Sequence, residues 1–381
     1  MRGAAFGPLA ALLFVLACAP AAAPTPATGA APPAAPPSGA AAPAASAPTS
    51  AADYRQQVID GARAEGEVTA TLHTSWPPEG IQQLEAAIER EYGVRLKINF
   101  QPIGNYTQRA AQFLAEVEAN ATPSYDVYQS SDTTSATLRR ANAVEVVNWA
   151  PLLPAGTPPE SIVADGAHLV VYTDHTGLMT DPAVVSDADV PRSIRDLGNP
   201  KWHDRVIVFA TASNYLPWVI RLGREETLAA VRAAVRNGAI TDTFPGMLTR
   251  FAAKEYPLVT IGVTFHHLAQ ARGIASRFTP LDFSYNTDHH VSVARRAVHP
   301  NAAKLLAAVL ARPEGQRIEA EHIGVGSRYY ADTREYQLEQ DALAAGFPSF
   351  TWADNPDGLA FALSPDGEAL LREIDQILKG G

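Results

Sequence analysis

The chain has 381 residues, a hydrophobic fraction of 46% and a formal net charge of -10 at pH 7. This length predicts two domains or lobes, and the apolar content is enough to bury sizeable cores. The acidic balance, without any run of basic residues, argues against nucleic-acid binding, because phosphate recognition requires a basic surface. The single cysteine, Cys18, excludes intrachain disulfides and thiolate metal clusters.

The first eighteen residues have the pattern of an export signal. One basic residue precedes an apolar stretch and then small residues. The stretch ends in Val15-Leu16-Ala17-Cys18, which resembles the bacterial lipobox, where the cysteine receives lipid after cleavage. We therefore predict a signal peptide with lipobox over residues 1–18, lipidation of Cys18, and an exported protein anchored to a membrane in the periplasm or at the cell surface. The alternative is a plain signal peptide with an incidental cysteine.

Residues 19–51 are rich in alanine and proline and carry no charge. Such a segment cannot bury enough apolar surface to fold, so we predict a disordered tether. Where it is polyproline-like it extends by roughly 3.1 Å per residue, which allows a reach of up to about 100 Å. The folded part is predicted to begin near Ala52.

The first folded segment alternates strand and helix patterns. Residues 66–76 have a period of two, which predicts a strand, and residues 77–93 have apolar positions Ile81, Leu84 and Ile88 at helical spacing before a stop at Gly93. Residues 94–104, 107–120 and 124–131 continue as strand, helix and strand. This order predicts an α/β unit with a largely parallel sheet.

The middle of the chain repeats this organisation. Residues 204–223 and 255–273 each predict a strand, a turn and a helix, residues 225–238 an amphipathic helix, and residues 288–298 an extended segment. Residues 301–324 and 364–380 are predicted to be helical. We predict two α/β lobes, with the first part of lobe 1 at 52–171, lobe 2 at 172–287 and a return to lobe 1 at 288–381, the chain crossing near Tyr172 and Asp288.

Residues 295–324, RRAVHPNAAKLLAAVLARPEGQRIEAEHIG, closely resemble a block in the bacterial extracellular solute-binding proteins of ABC importers. The resemblance is to the family 1 type, which contains ferric-iron, polyamine, thiamine and phosphonate binders. Residues 66–100, 124–144 and 190–209 match in the same order, so the resemblance spans roughly 66–325. It implies a two-lobed periplasmic-binding-protein fold (type II) with a ligand cleft between lobes. It also implies a monomer that binds a small-molecule solute and delivers it to the membrane permease of an ABC importer. We predict no cofactor.

Four predicted strand ends carry small residues with hydroxyl groups, and at least three lead into helices. In open α/β sheets ligands bind beyond the carboxyl ends of strands, and helix N-termini favour anions. The predicted ligand-binding residues at these ends are Ser75, Trp76, Ser130, Ser131, Thr211, Ser213, Asn214, Thr264, Phe265 and His266. For Ser131 and Ser213 the alternative is a simple N-cap role.

Two further residues are predicted ligand contacts. His73 ends the first strand, and Tyr285, together with Trp76 and Phe265, could wall the cleft and stack on an organic ligand, the alternative for the aromatic residues being a place in the core. A polyamine would require several carboxylates, and Asp132 alone stands at these ends. We therefore predict a small organic anion, such as a phosphonate, sulfonate or carboxylate.

Adjacent His266 and His267 diverge by about 100° on a helix and point to opposite faces on a strand, so they are not expected to share one small ligand. We place them on a second-lobe loop, with His266 facing the cleft. The resemblance implies tandem tyrosines here in ferric binders, and Thr264-Phe265-His266-His267 departs from that pattern.

No metal site is therefore predicted. One alternative is a ferric carrier that uses His266 and His289 with a synergistic anion. A secreted metal-dependent hydrolase using His266, His289 or His290 is the other, but H-E-x-x-H and G-x-S-x-G motifs are absent. We predict a binding protein without catalytic activity.

Overall fold

The computed structural model describes residues 50–380. The predicted signal peptide, Cys18 and nearly all of the predicted tether lie outside the described residues. The first helix, α1 (Ala51–Glu65), has Ser50 as N-cap, and the Ser50 hydroxyl accepts a hydrogen bond from the Asp53 N–H at 3.1 Å. This first described helix starts next to Ala52, near which the sequence predicts the beginning of the folded part.

The first half of the fold is built from alternating strands and helices. Its elements are β1 (Glu67–Leu72), α2 (Pro78–Tyr92), β2 (Lys97–Pro102), α3 (Tyr106–Glu118), β3 (Val127–Ser131), α4 (Asp132–Arg140), β4 (Ile162–Val163) and β5 (His168–Thr180). Helix α2 ends at Gly93, where φ is +63°, a left-handed conformation that glycine adopts without a Cβ penalty. The predicted helix stop is therefore confirmed.

The second half and the C-terminal segment follow the same alternation. The second half contains β6 (Val206–Phe209), α5 (Leu216–Leu222), α6 (Arg224–Arg236), β7 (Ile240–Asp242), α7 (Phe244–Ala252), β8 (Leu258–Gly262), α8 (Val263–Ala271), β9 (Arg277–Thr279) and β10 (Ser284–Val293). The remaining elements are α9 (Pro300–Leu310), α10 (Pro313–His322), α11 (Arg334–Ala344), β11 (Ser349–Phe350), α12 (Pro356–Ala362) and α13 (Pro365–Leu378). Short 3-10 helices lie between them, among them Ala212–Tyr215.

One mixed sheet runs through both halves in the order β2-β1-β3-β10-β5-β8-β6-β7. Strands β1, β2 and β3 are mutually parallel, as predicted, and so are β6, β7 and β8. At the centre, β10 is antiparallel to both β3 and β5, and β5 is antiparallel to β8. The sheet as a whole is mixed because β5 and β10 carry the chain between the halves in opposite directions.

Each half has its own hydrophobic core. In the first, α1, α2 and α9 cover β1 and β10, with buried residues that include Leu84, Ile88 and Leu305. In the second, α5, α6 and α13 pack together around buried residues that include Trp218 and Ile374. Phe350, Trp352, Leu370, Ile374 and Ile377 all belong to the second core. The structure therefore places residues 349–378 against the second half, whereas the sequence predicted that 288–381 would return to the first.

Helix α9 offers a direct test of the first core. Leu305 is completely buried on α9, so Leu305→Ala leaves a cavity and should lower the free energy of unfolding by about 2–5 kcal/mol. Leu343 lies on α11 and is 44% exposed. Leu343→Ala, the matched control, should change the free energy of unfolding by less than about 0.5 kcal/mol in the same urea denaturation experiment. Equal effects of the two substitutions would contradict the packing of α9.

Candidate functional site

The ends of the parallel strands meet the middle of the β5–β10 pair. Ser131, the last residue of β3, is opposite His289 on β10. Gly262, the last residue of β8, is opposite Thr176 on β5. The carboxyl ends of strands from both halves thus converge on the same stretch of sheet, where α/β proteins bind ligands.

Opposed residues of the β5–β10 pair lie on one face of the sheet, and successive residues alternate between faces. One face of the sheet, which we call the first face, carries the pairs His289/Tyr172, Thr287/Asp174 and Tyr285/Thr176. The register shifts between His289 and His290, where β5 has one extra residue. The two neighbouring histidines therefore belong to different faces of the sheet.

On the first face, four rings form a group that we call the aromatic cluster, consisting of His73, Tyr106, Tyr172 and His289. The rings of Tyr172 and His289 stack with centroids 4.2 Å apart, and the Tyr106 and Tyr172 hydroxyls lie 2.8 Å apart. The edge of His73 meets Tyr172 at 5.9 Å, and Tyr106 lies 5.1 Å from His289. His73 thus lies against Tyr172 of β5, and its contact with a ligand stays a prediction.

The aromatic cluster is uncharged near neutral pH. Burial raises the pKa values of Tyr106 and Tyr172 well above the ordinary value for a phenol. Burial also lowers the pKa of His73 to about 4 and that of His289 well below its usual value. Within residues 50–380 the buried Nδ1 of His289 has no hydrogen-bond partner. The cluster therefore offers neutral donors and acceptors, and no positive charge.

Tyr106 was missed by the sequence analysis. It is the first residue of α3 and follows the N-cap Asn105, whose side chain accepts a hydrogen bond from Gln108 N. Its place just after β2 is equivalent to the other strand ends and is the signal that the sequence offers. Its bulk and aromatic character set it apart from the small hydroxyl-bearing residues at those ends.

The N-terminus of α8 is occupied by a carboxylate of the protein. Asp174 Oδ1 accepts hydrogen bonds from the Thr264 N–H at 3.3 Å and from the Thr264 hydroxyl at 3.1 Å. A Cβ at Gly262 would overlap the Asp174 carboxylate, so glycine allows this close approach. Burial raises the pKa of Asp174 to about 6. Thr264 is therefore engaged inside the protein, and a negative group stands where an anion was expected.

The histidine pair lies within α8, which begins directly after β8, so the predicted loop is wrong. His266 Nδ1 hydrogen-bonds the Ser276 hydroxyl at 2.9 Å. His267 Nδ1 donates to the Gly324 carbonyl oxygen at 3.0 Å. Both side chains are buried, and burial lowers the pKa of His266 to about 4. The two rings thus have separate partners, and the structure does not bring His266 to the aromatic cluster.

At the end of β3 the two predicted serines, Ser130 and Ser131, differ in their hydrogen bonding. Ser131 is the N-cap of α4, and its hydroxyl and N–H lie 3.1 Å and 2.8 Å from the Thr134 hydroxyl oxygen. The neighbouring Ser130 is buried, and its hydroxyl has no partner within the described part of the chain. Ser131 thus has the local capping role given above as the alternative, while Ser130 keeps an unused hydroxyl.

Three other predicted residues lie at the edges of the site or in the cores. Trp76 is buried in the first core and packs on His322 at 6.5 Å, while Ser75 is exposed. Tyr285 is buried in the second core between Trp218 and Phe350. Trp76 and Tyr285 therefore have the core positions given above as the alternative for aromatic residues, and their contact with a ligand stays a prediction.

The end of β6 presents polar groups beside an aromatic surface. Thr211 and Ser213 are exposed and Asn214 is half-buried, and among residues 50–380 none of the three side chains has a hydrogen-bond partner. Phe244 stacks on Phe265 with centroids 5.2 Å apart, a pair that we call the phenylalanine stack.

Phe244 is 38% exposed and also meets Phe209, the last residue of β6, at 6.5 Å. Thr211 follows Phe209 by two residues. The phenylalanine stack therefore contacts the last residue of β6, two residues before Thr211.

The structure of residues 50–380 also bears on the alternative metal site and on membrane-spanning helices. No three His, Cys, Asp or Glu side chains in this range are grouped so that they could hold a metal ion. His266 packs near Ser276 and Phe278, whereas His289 belongs to the aromatic cluster, so the two histidines of the alternative metal site have different neighbours. No helix in this range is both long and apolar enough to cross a bilayer.

A family described as bacterial extracellular solute-binding protein matches residues 79–322 of the chain. Iron-bound HitA from Pseudomonas aeruginosa is similar in structure, with 19% identity, a TM-score of 0.59, and coverage of 81% of this chain and 99% of that chain. The Trichodesmium protein IdiA (FutA), in complex with iron and citrate, has 14% identity, a TM-score of 0.63, and coverage of 82% and 99%.

A putative spermidine/putrescine ABC transporter from Listeria monocytogenes is a third similar structure, with 11% identity, a TM-score of 0.59, and coverage of 82% of this chain and 99% of that chain. At these identities the likeness shows the fold alone. That fold is the two-lobed, type II periplasmic-binding-protein fold that the sequence indicated.

Asp174 gives the site a defined pH dependence. Its pKa in the folded protein, about 6, is above the usual 3.8, so the folded state binds the proton more tightly. This contribution to stability is present below pH 3.8 and is lost as the pH rises through 6. Asp174→Asn removes the titration. The stability of this variant relative to the wild type should therefore increase from pH 4 to pH 7.

Urea denaturation at several pH values measures this difference. Exposed Asp357→Asn on α12 is the matched control, and its difference from the wild type should stay small and constant. A difference for Asp174→Asn that does not change with pH would contradict the burial of this carboxyl group.

Proposed function

This chain belongs to the bacterial extracellular solute-binding proteins, and we propose that it captures a small organic anion for the membrane permease of an ABC importer. The observation that carries the choice of solute is the contact of the phenylalanine stack with the end of β6, which leads into the polar side chains of residues 211–214, none of them hydrogen-bonded within residues 50–380. An organic anion has an apolar body and a charged group, which suit the aromatic rings and the polar side chains respectively. Its apolar body packs against the rings, and its charged group accepts hydrogen bonds from the hydroxyl and amide donors.

The position of Asp174 supports an orientation for the anion. The carboxylate of Asp174 pairs with the N-terminus of α8 and repels a second negative charge there. Thr211, Ser213 and Asn214 stand at the end of the neighbouring parallel strand β6 and bring no carboxylate of their own. We therefore propose that the charged group of the solute binds at residues 211–214 and its body faces the phenylalanine stack.

The strand pair β5–β10 supports a mechanism of capture by lobe closure. We propose lobes at 52–171 and 172–287, with residues 288–348 returning to the first lobe and 349–378 packing on the second. Closure brings the aromatic cluster toward residues 211–214 and encloses the solute, a hinge motion. The solute shifts the open–closed equilibrium by the difference between its affinities for the two states. We also propose a monomer without catalytic activity, exported and held at a membrane by lipid on Cys18.

The aromatic cluster favours ferric iron as a second candidate solute. The Tyr106 and Tyr172 hydroxyls lie 2.8 Å apart, and the His289 ring stacks on Tyr172. Phenolates are good ligands for hard Fe(III), and a bound metal would offset the cost of deprotonating two buried phenols. In this alternative Tyr106, Tyr172 and His289 would hold the ion together with a synergistic anion, replacing the pair His266 and His289 that the sequence suggested.

A thermal-shift screen of carboxylates, sulfonates, phosphonates, polyamines, thiamine and ferric citrate identifies the solute. A ligand present at 100 times its Kd should stabilise the protein by about 2.7 kcal/mol. With the best organic anion, Phe244→Ala should weaken binding about tenfold, the size expected for one lost aromatic contact. Ser213→Ala should weaken binding without lowering the Tm of the ligand-free protein, because the Ser213 hydroxyl has no partner within residues 50–380.

Two substitutions on α8 serve as controls for that experiment. Leu268→Ala removes a similarly exposed apolar side chain and should leave the affinity unchanged. Thr264→Ala should lower the Tm of the ligand-free protein, because it removes the hydrogen bond from the hydroxyl to Asp174. Wild-type affinity in both Phe244→Ala and Ser213→Ala would overturn the proposed site.

Visible absorbance separates the two candidate solutes. If the solute is an organic anion, ferric citrate should give neither a thermal shift nor a tyrosinate charge-transfer band. A band that appears with wild-type protein and disappears in Tyr172→Phe would instead establish the ferric alternative. Tyr125→Phe is the control for this substitution, since Tyr125 packs on Tyr128 away from the aromatic cluster.

A further inference from the structure

A groove of about 580 Å³ lies between α4 and α12, away from the aromatic cluster. Its floor is formed by residues of β5 and β10, one wall by α4, and the other by Trp352 and α12. Small-molecule sites in proteins commonly have volumes of about 300–1,000 Å³. The groove therefore has the size of a ligand site, and neither the family nor the proposed solute site accounts for it.

The floor of the groove is the opposite face of β10 from the aromatic cluster. His289 points into that cluster, so Asp288 and His290 on either side of it point the other way, and both line the groove. His168 on β5 joins them, and its Nδ1 pairs with the Ser292 hydroxyl at 2.6 Å. One strand thus supplies residues to two separate sites.

Two imidazole nitrogens on this floor have no partner within residues 50–380. They are Nε2 of His168, which is 2% exposed, and Nδ1 of His290, which is 3% exposed. Burial lowers the pKa of each histidine to about 3, so both rings are neutral at pH 7. Leaving a buried polar atom without a hydrogen bond is costly, and a ligand in the groove would remove that cost.

The α4 wall brings positive charge. Arg139 is half-buried and lines the groove, and it forms no ion pair with any carboxylate of residues 50–380. Its position in the last turn of α4 suits the helix dipole, but the dipole alone does not supply a partner for the guanidinium. Arg140 stands beside it at the rim. The positive charge on this wall of the groove therefore favours the binding of an anion.

The two carboxyl groups that line the groove, Asp132 on α4 and Asp288 on β10, do not cancel this charge. Burial, followed by the charge of Asp288, raises the pKa of Asp132 well above its usual value, which favours the neutral form of this carboxyl group. The carboxylate of Asp288 already accepts hydrogen bonds from the Thr173 hydroxyl at 2.7 Å and the Tyr329 hydroxyl at 2.8 Å. The groove thus keeps one carboxylate that is already hydrogen-bonded, beside Arg139 and Arg140, neither of which forms an ion pair within residues 50–380.

The α12 wall is apolar. It consists of side chains that have no charge and little polarity, namely Trp352, Ala353, Pro356, Leu359, Ala360 and Leu363. An occupant of the groove therefore meets guanidinium groups and imidazoles on one side and hydrocarbon on the other. These surfaces match a molecule with one anionic group and an apolar body.

We propose that the groove between α4 and α12 is a second binding site, for a small amphipathic monoanion such as an aryl or alkyl carboxylate or sulfonate. Its anionic group pairs with Arg139 and hydrogen-bonds His168 or His290, and its apolar body packs on Trp352 and Leu359. Helix α4 belongs to the first half, whereas α12 packs on α5 and α13 of the second. An occupant therefore contacts both halves, whichever solute the aromatic cluster and the phenylalanine stack take.

The test uses 8-anilinonaphthalene-1-sulfonate, a fluorescent monoanion with an apolar body, titrated into the purified protein. Saturable binding at one site is expected. Arg139→Gln should weaken it about tenfold or more, because a charge-assisted hydrogen bond is lost. Ala360→Trp should abolish it, because Ala360 is exposed and the larger side chain fills the groove without disturbing a core.

Arg236→Gln is the matched control, since Arg236 also lies in the last turn of a helix, α6, but outside the groove. It should leave the affinity for the probe unchanged, and so should Phe244→Ala. Equal binding by the wild type, Arg139→Gln and Ala360→Trp would overturn the proposal, as would no binding at all. Loss of probe binding in Phe244→Ala, with the groove variants unaffected, would place the probe at the solute site and leave the groove without a ligand.

Discussion

The antiparallel pairing of β5 with β10 is the constraint on which the rest of the structure depends. It extends from Leu169 opposite Val291 to Thr176 opposite Tyr285, and it links two parallel blocks of strands that run in opposite directions. The extra residue of β5 at the register shift increases the local twist of the pair. Because of this pairing, strand ends from both halves meet at one place. Neighbouring residues of β10 point to opposite faces of the sheet, His289 into the aromatic cluster and His290 into the groove.

A buried polar network holds this strand pair in place. Asp288 accepts hydrogen bonds from Thr173 on β5 and from Tyr329, while Arg328 donates to both carboxylate oxygens of Glu339 at 3.0 and 3.1 Å. Buried charges destabilise a fold unless they are paired and hydrogen-bonded, so such a network favours one arrangement of the strands. Among residues 50–380, the buried polar atoms left without partners, such as Nδ1 of His289 and Nδ1 of His290, are then the ones available to ligands.

The sequence predicts well those elements whose pattern is local. The period of two in β1, the helical spacing in α2 and the stop at Gly93 all depend on neighbouring residues, and the structure agrees with them. Strand β5 was not predicted from the sequence because polar residues such as Asp174 and His175 occupy both of its faces, so it shows no alternation of apolar and polar residues. The packing of residues 349–378 on the second half has no local signal in the sequence, because the contact of α13 with α6 joins segments far apart in the chain.

The candidate site was predictable only in part. Strand-end positions indicated His73 and residues 211–214, and the structure places both where strands end. The contact of Asp174 with α8 depends on the β5–β8 register, which no local pattern reveals. The groove between α4 and α12 is even less predictable from the sequence. His168, His290 and Arg139 come together only when β5 pairs with β10 and α4 packs beside them. Its charge and shape are properties of the assembled sheet.

Small-angle X-ray scattering of the protein, with and without the organic anion selected by thermal shift, tests capture at the β5–β10 hinge most directly. Closure on the solute predicts a smaller radius of gyration in the saturated protein, and no such decrease at the same anion concentration in Phe244→Ala, where binding is weaker. An unchanged radius of gyration in the saturated wild-type protein would contradict lobe closure. The solute would then have to bind without the hinge motion on which the proposed site depends.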